Sequence, residues 1–351
     1  MAEQRVRRTE LDALRVLAAW MVVLIHVCAF CIGSEGFPGQ SPGWVYLLDS
    51  LVRSSAVPLF VMVSGSLFLG GREMIPLQRI LKKYMLRLFL LYLFWALFYA
   101  VDACGPAAFL SAAGWKQLIL TALEGKYHLW YLPRLIGTYA LIPLFSALIR
   151  YRRGRYVPYV LLMCFLFIAL KNLALAVNAP EQVRGFIEKF EFPLNSFAPF
   201  FLLGWFLSDR RLPRIGTARL AVFWGIVVAV KTAADHFLGL RGVLSEEALM
   251  QINSVPAFLE AGALFLIFQN LAGCGFFARH GAKLALLSDC TLGTYLLHVF
   301  ILEHAGGPFF RLERWLPTPV CLLLFTTLVF ALATVLSWLL RKVPWLKGRI
   351  V

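Results

Sequence analysis

The sequence predicts an all-α, polytopic membrane helix bundle that crosses the bilayer about ten times, with both termini inside. Three observations predict it. The 351 residues are 60% hydrophobic and only 15% charged, where soluble globular domains carry about a quarter charged residues. Apolar runs recur from one end of the chain to the other, each matching a ~30 Å hydrocarbon layer at ~1.5 Å of helical rise per residue. Lys and Arg collect in alternate connections between those runs, as the positive-inside rule requires.

The runs lie near 14–33, 48–70, 84–102, 128–149, 157–177, 194–208, 218–237, 254–272, 284–304 and 319–340. The first follows Arg5, Arg7 and Arg8 and has no small-residue cleavage site after it, so it is read as a retained helix rather than a signal peptide. The second passes Pro58 and ends through Ser64-Gly65-Ser66, small residues that let helices approach closely. Before the third stand Arg72, Arg79, Lys82, Lys83 and Arg87, and after it the stretch 107–123 reads as an interfacial helix on the outer side. The fourth opens on Trp130 and Tyr131, aromatic residues of an outer interface that anchor to the bilayer or stack on a sugar ring. The sixth is short and bounded by Pro193 and Pro213, which predicts a tilted or broken span. With the N-terminus inside, inner segments hold 22 Lys and Arg, among them Arg150, Arg210, Arg211, Arg214, Lys347 and Arg349; outer segments hold 7, among them Arg241, Arg311 and Arg314. The longest outer loops, 103–127 and 238–253, are too small to fold alone, so 1–351 reads as one transmembrane domain. No internal repeat stands out, which disfavours the inverted-repeat transporters.

The net charge of +15 invites a nucleic-acid reading. The positive-inside rule accounts for those bases more simply, so no nucleic-acid partner is expected. The seven cysteines are scattered, and Cys28 and Cys31 form the only CxxC. Without a second pair or neighbouring zinc-ligand spacing they read as packed side chains, and no metal is expected.

Ionisable residues inside the spans are the informative exceptions, because one at the bilayer centre costs about 2.5–3.5 kcal/mol even on the gentle insertion scale. Arg15, His26, Arg53, Arg134, Lys171, Lys231, Asp235, Glu260 and His298 all fall within or at the edges of spans and imply a polar interior. Arg15, with Asp12 three residues before it, sits at the inner end of the first helix; His26 and His298 lie in outer halves. Snorkelling accounts for Arg53 and Lys171 as well as function does, and Lys231 with Asp235 fits a plain i, i+4 pair. Arg15 and His26 are eleven residues apart. Eleven steps of ~100° return to within ~20° of the start and advance ~16 Å, so one helix face joins a cation at the inner edge to an imidazole deep in the membrane. His26 is then either a buried structural histidine or the reactive end of a donor site anchored by phosphates at the inner face. Ser64 fits helix packing, or a nucleophile activated by His26.

At these residues the chain resembles a known family. LDALRVLAAWMVVLIHV (11–27) resembles the opening helix of the acyltransferase-3 family of membrane proteins. RSSAVPLFVMVSGSLFL (53–69) resembles its Pro, Phe and Ser-Gly segment, HLWYLPRLIGTYALIPL (128–144) its Trp-Tyr segment, and LGTYLLHVFIL (292–302) its late Tyr-Leu-Leu-His segment. The resemblance implies a short stand-alone O-acyltransferase of the bacterial cytoplasmic membrane, lacking the hydrolase-like domain appended to many members. Its expected partners are cytoplasmic acyl-CoA, most often acetyl-CoA as donor substrate, a glycan acceptor outside the membrane or linked to lipid, and the surrounding lipids. No tightly bound cofactor is implied. His26 would be the essential histidine and Arg15 the donor-side arginine. Arg79, Lys82, Lys83 and Arg87 match the family's basic stretch before the third helix at looser spacing than its paired arginines, so they are assigned to the CoA phosphates as a group.

That chemistry suits the residues. A cationic mouth makes charge-assisted bonds to phosphates, and histidine, with a reference pKa near 6.5, can take the proton of an attacking hydroxyl near neutral pH. Arg53 and Arg134, by depth, are candidates for the oxyanion, and Trp130, Tyr131 and His298 join them on the acceptor side. The rival readings are a transporter or flippase for an anionic small molecule or lipid-linked sugar, which ten helices with buried charges would also serve, and the membrane half of a sensor. The Arg15–His26 face joined to the other three segments favours the enzyme. Acetyl and succinyl donors, and any oligomeric state, fit the sequence equally.

Overall fold

The computed structural model of the protein describes residues 7–33, 42–71, 73–189, 197–208, 215–240, 254–309 and 315–343. All regular structure among them is helical: α1 Thr9–Gly33, α2 Pro42–Leu69, α3 Leu77–Cys104, α4 Ala112–Glu124, α5 Tyr131–Ala140, α6 Ile142–Arg150, α7 Val157–Ala176, α8 Glu181–Glu188, α9 Ala198–Leu207, α10 Thr217–Leu240, α11 Ser254–Asn270, α12 Gly275–Phe309 and α13 Thr318–Lys342. Eight of these are long and apolar enough to cross a membrane, and the bent pair Tyr127–Ala140 and Ile142–Gly154 supplies a ninth. The short α9 is a tenth apolar segment, so every predicted run falls on a helix. Arg5, Arg72, Pro193, Arg210, Arg211, Pro213, Arg214, Arg241, Arg311, Arg314, Lys347 and Arg349 lie outside the described residues. Inner and outer denote below the sides assigned from the Lys and Arg distribution.

Two helices form the centre. α1 packs against α2, α12 and α13, while α2 also meets α9 and α11. The most apolar stretch of α2 is 61% buried within the protein, that of α10 only 17%, so α10 faces the membrane at the rim. α3 shows why a bilayer is needed: Leu86, Phe89, Leu90, Leu93 and Leu97 form an exposed stripe at helical spacing. α2 and α9 touch backbone to backbone. A Cβ on Gly65 would collide with the Phe201 main chain, and one on Gly204 with that of Met62. The small residues of the second run therefore serve packing.

The fourth run is not one helix. α5 and α6 meet at 44°, because Pro143 has no N–H to offer the Tyr139 carbonyl four residues back. Leu141 N instead closes a tighter turn on Thr138 O at 3.1 Å. α3 begins through a π-helical turn, Ile80–Met85, that carries Lys82 and Lys83. The predicted interfacial stretch contains α4, capped by Ser111 accepting from Gly114 N at 3.0 Å. Leu118 of α4 packs on Ala100 and Ala108, while Trp115, Ile119, Leu120 and Leu123 are exposed.

Polar clasps close the inner side. Arg7 donates to Asp12 at 2.6 Å, to Asp289 at 2.8 Å and to the Ala285 carbonyl at 2.9 Å, tying α1 to α12. Hydrogen bonds from Arg7 to those two carboxylates push its guanidinium above its ordinary range. Arg8 bonds Glu10 at 2.7 Å and Ser66 at 3.1 Å, and Ser66 meets Ser208 at 2.6 Å. Asp12 is thus the partner of Arg7, not of Arg15.

Candidate active site

Three histidines from three elements meet in the outer half of the bundle. The His26 ring of α1 lies 4.9 Å from that of His298 in α12 and 6.3 Å from that of His128, which the 3₁₀ turn Tyr127–Trp130 presents ahead of α5. The rings of His128 and His298 are 5.4 Å apart. Tyr127 covers His26 at 5.4 Å, and Tyr99 of α3 packs on His128 at 5.0 Å. His298 is fully buried, with Nδ1 2.6 Å from the Tyr295 carbonyl and Nε2 without a hydrogen-bond partner. His128 is 1% exposed, and neither of its ring nitrogens makes a well-formed hydrogen bond. Buried polar nitrogens normally find partners, so two such histidines beside His26 mark a place built for something other than stability. Among the described residues no set of His, Cys, Asp or Glu is placed to hold a metal ion.

Arg53 joins this level from α2. Its Nε donates to Asp49 Oδ2 at 2.6 Å, one helical turn earlier, and its charge lies near enough to act on His26. An arginine whose guanidinium is tied to a buried carboxylate on its own helix is not a snorkelling one. Lys171, by contrast, pairs with Glu188 of α8 at 3.5 Å.

The second level is that of Arg15. Its charge acts on the phenols of Tyr131 and Tyr139, both on α5, and Tyr139 also feels Arg87 of α3. Tyr139 further meets the Ser64 hydroxyl, which donates to the Phe60 carbonyl at 2.9 Å. Ser64 therefore belongs with Tyr139. Between the two levels stand phenols. The rings of Tyr131 and Tyr295 are 5.5 Å apart, those of Tyr295 and His128 are 5.6 Å apart, and the Tyr295 hydroxyl donates to the His128 carbonyl. A tyrosine column thus links the guanidinium to the histidines along the face of α1.

The structure brings together His26, His298, Arg53 and Tyr131, and sets Arg15 and Arg87 around Tyr139. It does not bring in Trp130 or Arg134. Trp130 is 44% exposed, with the Arg134 guanidinium 4.9 Å over its ring. The Trp130 ring shares Phe197 with Tyr131, at 5.7 Å against 5.4 Å, but makes no ring contact with the histidines among the described residues. Arg79, Lys82 and Lys83 are exposed on the first turns of α3. His128, Tyr99, Tyr139 and Tyr295 are additions that the sequence reading overlooked. The signal for His128 was present, as a histidine two residues before the Trp-Tyr pair.

A helix face bearing arginine and histidine, met by the other three segments in space, narrows the families that fit. Residues 8–342 match the model of the family Acyl_transf_3, described as an acyltransferase domain. The chain belongs to the acyltransferase-3 family. No curated protein and no solved structure matches it. This acyltransferase is therefore a multi-pass membrane protein whose family domain spans nearly all of the described helices, from the Arg8 clasp to the end of α13. The four segments that carry the likeness supply His26, Arg53, His128 and His298 to one cluster of this acyltransferase.

Proposed function

We propose that the protein is an O-acyltransferase of the bacterial cytoplasmic membrane that moves an acetyl group from cytoplasmic acetyl-CoA to a hydroxyl of an extracytoplasmic or lipid-linked glycan. The observation that carries this reading is the pair of levels on one face of α1: Arg15 among phenols near Arg87, and His26 among histidines beside Arg53. In this mechanism Arg79, Lys82, Lys83 and Arg87 attract the CoA phosphates at the inner mouth, and Arg15 holds the donor where it enters the protein. The thioester reaches the histidine level along the tyrosine column. His26 takes the hydroxyl proton as the acceptor oxygen attacks the carbonyl carbon, and Arg53 faces the oxyanion of the tetrahedral intermediate. Collapse of that intermediate breaks the C–S bond. The thiolate takes the proton from the His26 imidazolium, leaving CoA and the ester. His298, held through Nδ1, fixes the ring opposite His26, and Tyr131 lines the path.

Purified protein in nanodiscs is expected to release free CoA from acetyl-CoA in the presence of a crude envelope-glycan extract and to label that extract with the acetyl group. Arg15→Gln is expected to raise the KM for acetyl-CoA roughly ten- to a hundred-fold, about 1.4–3 kcal/mol for a charged hydrogen bond, with kcat less affected. A folded sample that neither binds nor consumes any of a panel of acyl-CoA donors would sink the reading and bring anion or lipid-linked sugar transport forward.

A further inference from the structure

A second buried polar network lies beside the histidine level, and the mechanism above does not use it. Lys231 of α10 and Glu260 of α11 form an ion pair at 3.0 Å, with side chains 2% and 0% exposed. Lys231 Nζ also donates to the Ser50 carbonyl and, at 3.1 Å, to Ser54 Oγ. Ser50 Oγ meets Thr232 at 3.1 Å and donates to Asp235 at 3.1 Å. The sequence paired Lys231 with Asp235; in three dimensions Lys231 pairs across helices with Glu260, and Asp235 takes Ser50. All these contacts converge on one turn of α2, and the same turn carries the Asp49–Arg53 pair. Positions 50 and 54 share one helix face, and positions 49 and 53 lie ~100° round from it.

As a stability device the pair makes little sense. Replacing a buried ion pair by well-packed apolar residues is often neutral or stabilising by about 1–4 kcal/mol, because desolvation offsets the Coulomb gain. What Lys231 does that a leucine could not is grip a specific backbone carbonyl and hydroxyl on the turn that aims Arg53. Asp49 and Asp235 each keep one buried oxygen without a hydrogen bond.

We infer that Lys231, anchored by Glu260, is a positioning residue that holds the Asp49–Arg53 pair in place at His26. This rests on Arg53 serving the reaction as proposed above. The test compares wild type with Arg53→Met, the charge-free pair Lys231→Met/Glu260→Leu, and the triple variant, all in nanodiscs. The pair variant removes both buried charges and leaves neither orphaned, so it keeps the fold where Lys231→Met alone would strand Glu260. With acetyl-CoA and the envelope-glycan extract, the pair variant is expected to lose kcat on the order of 10²-fold, the effect of about 1 Å of misplacement. Its acetyl-CoA KM stays within about twofold, and the triple variant is no slower than Arg53→Met. Thermal unfolding, which needs no turnover, is expected to show Tm losses of the pair and of Arg53→Met that do not add. Wild-type kcat in the pair variant, or additive losses in both readouts, overturns the inference and leaves the pair a packing feature. Should wild type itself consume no acetyl-CoA, the functional reading has failed, and the unfolding cycle alone decides the coupling.

Discussion

Substituting His26→Ala is expected to abolish acyl transfer, lowering kcat by about 10²–10⁴-fold, the contribution of a positioned general base. The side chain is half-buried in α1, and ring contacts to Tyr127, His128 and His298 surround it. Alanine removes the group that would accept the hydroxyl proton and leaves Arg15, about 16 Å away along the helix, untouched. Acetyl-CoA affinity is therefore expected to stay within a few-fold of wild type, which equilibrium binding in nanodiscs reads directly. His26→Gln should fail as completely, since an amide fills the space without a basic nitrogen. Transfer surviving at a tenth or more of the wild-type rate in both variants would move the base to His128 or His298, and each of those substitutions then becomes the next measurement.

The second large effect is expected in folding. Gly204→Ala should cost about 3 kcal/mol or more, at or beyond the upper end of ordinary overpacking, because its methyl group meets the Met62 main chain rather than a side chain that can turn away. Gly65→Ala runs into the Phe201 main chain and should behave alike. Gly137, with nothing within 4 Å of an added Cβ, is the control: there alanine is expected to be neutral or to gain the helix-propensity difference of about 1 kcal/mol. Fluorescence-detected size exclusion and thermal unfolding distinguish the cases. A monodisperse Gly204→Ala protein with wild-type Tm would show that α2 and α9 can separate at no cost.

The helical architecture was legible because a span that faces lipid has to be about twenty residues long and apolar, and that requirement is written in composition. The Arg15–His26 face was legible because it depends only on the pitch of one helix. Relations between helices were not. Lys231 looked paired with Asp235 since spacing within a helix reveals only in-helix neighbours, whereas its partner Glu260 arrives from α11. His128 was passed over because it stands at the mouth of an apolar segment, where a histidine looks like an interface residue until its burial is known. Pro143 was in plain view, yet a proline only sometimes breaks a membrane helix, and the 44° bend depends on what packs around it. Arg134 was drawn into the site by depth and Trp130 by its place at the outer interface, and neither says which way a side chain faces.

α9 runs only from Ala198 to Leu207, its ten residues spanning about 15 Å. Its neighbours cross a layer of about 30 Å. The helix begins beside Tyr131, through Phe197, and ends at Ser208 in the inner clasp. Over those ten residues α9 stands beside the tyrosine column, with the Phe197 ring 5.4 Å from that of Tyr131. On the proposed reaction the acetyl group has to pass this short helix, a length of about 15 Å that the flexible arm of the donor can bridge without any helix having to move.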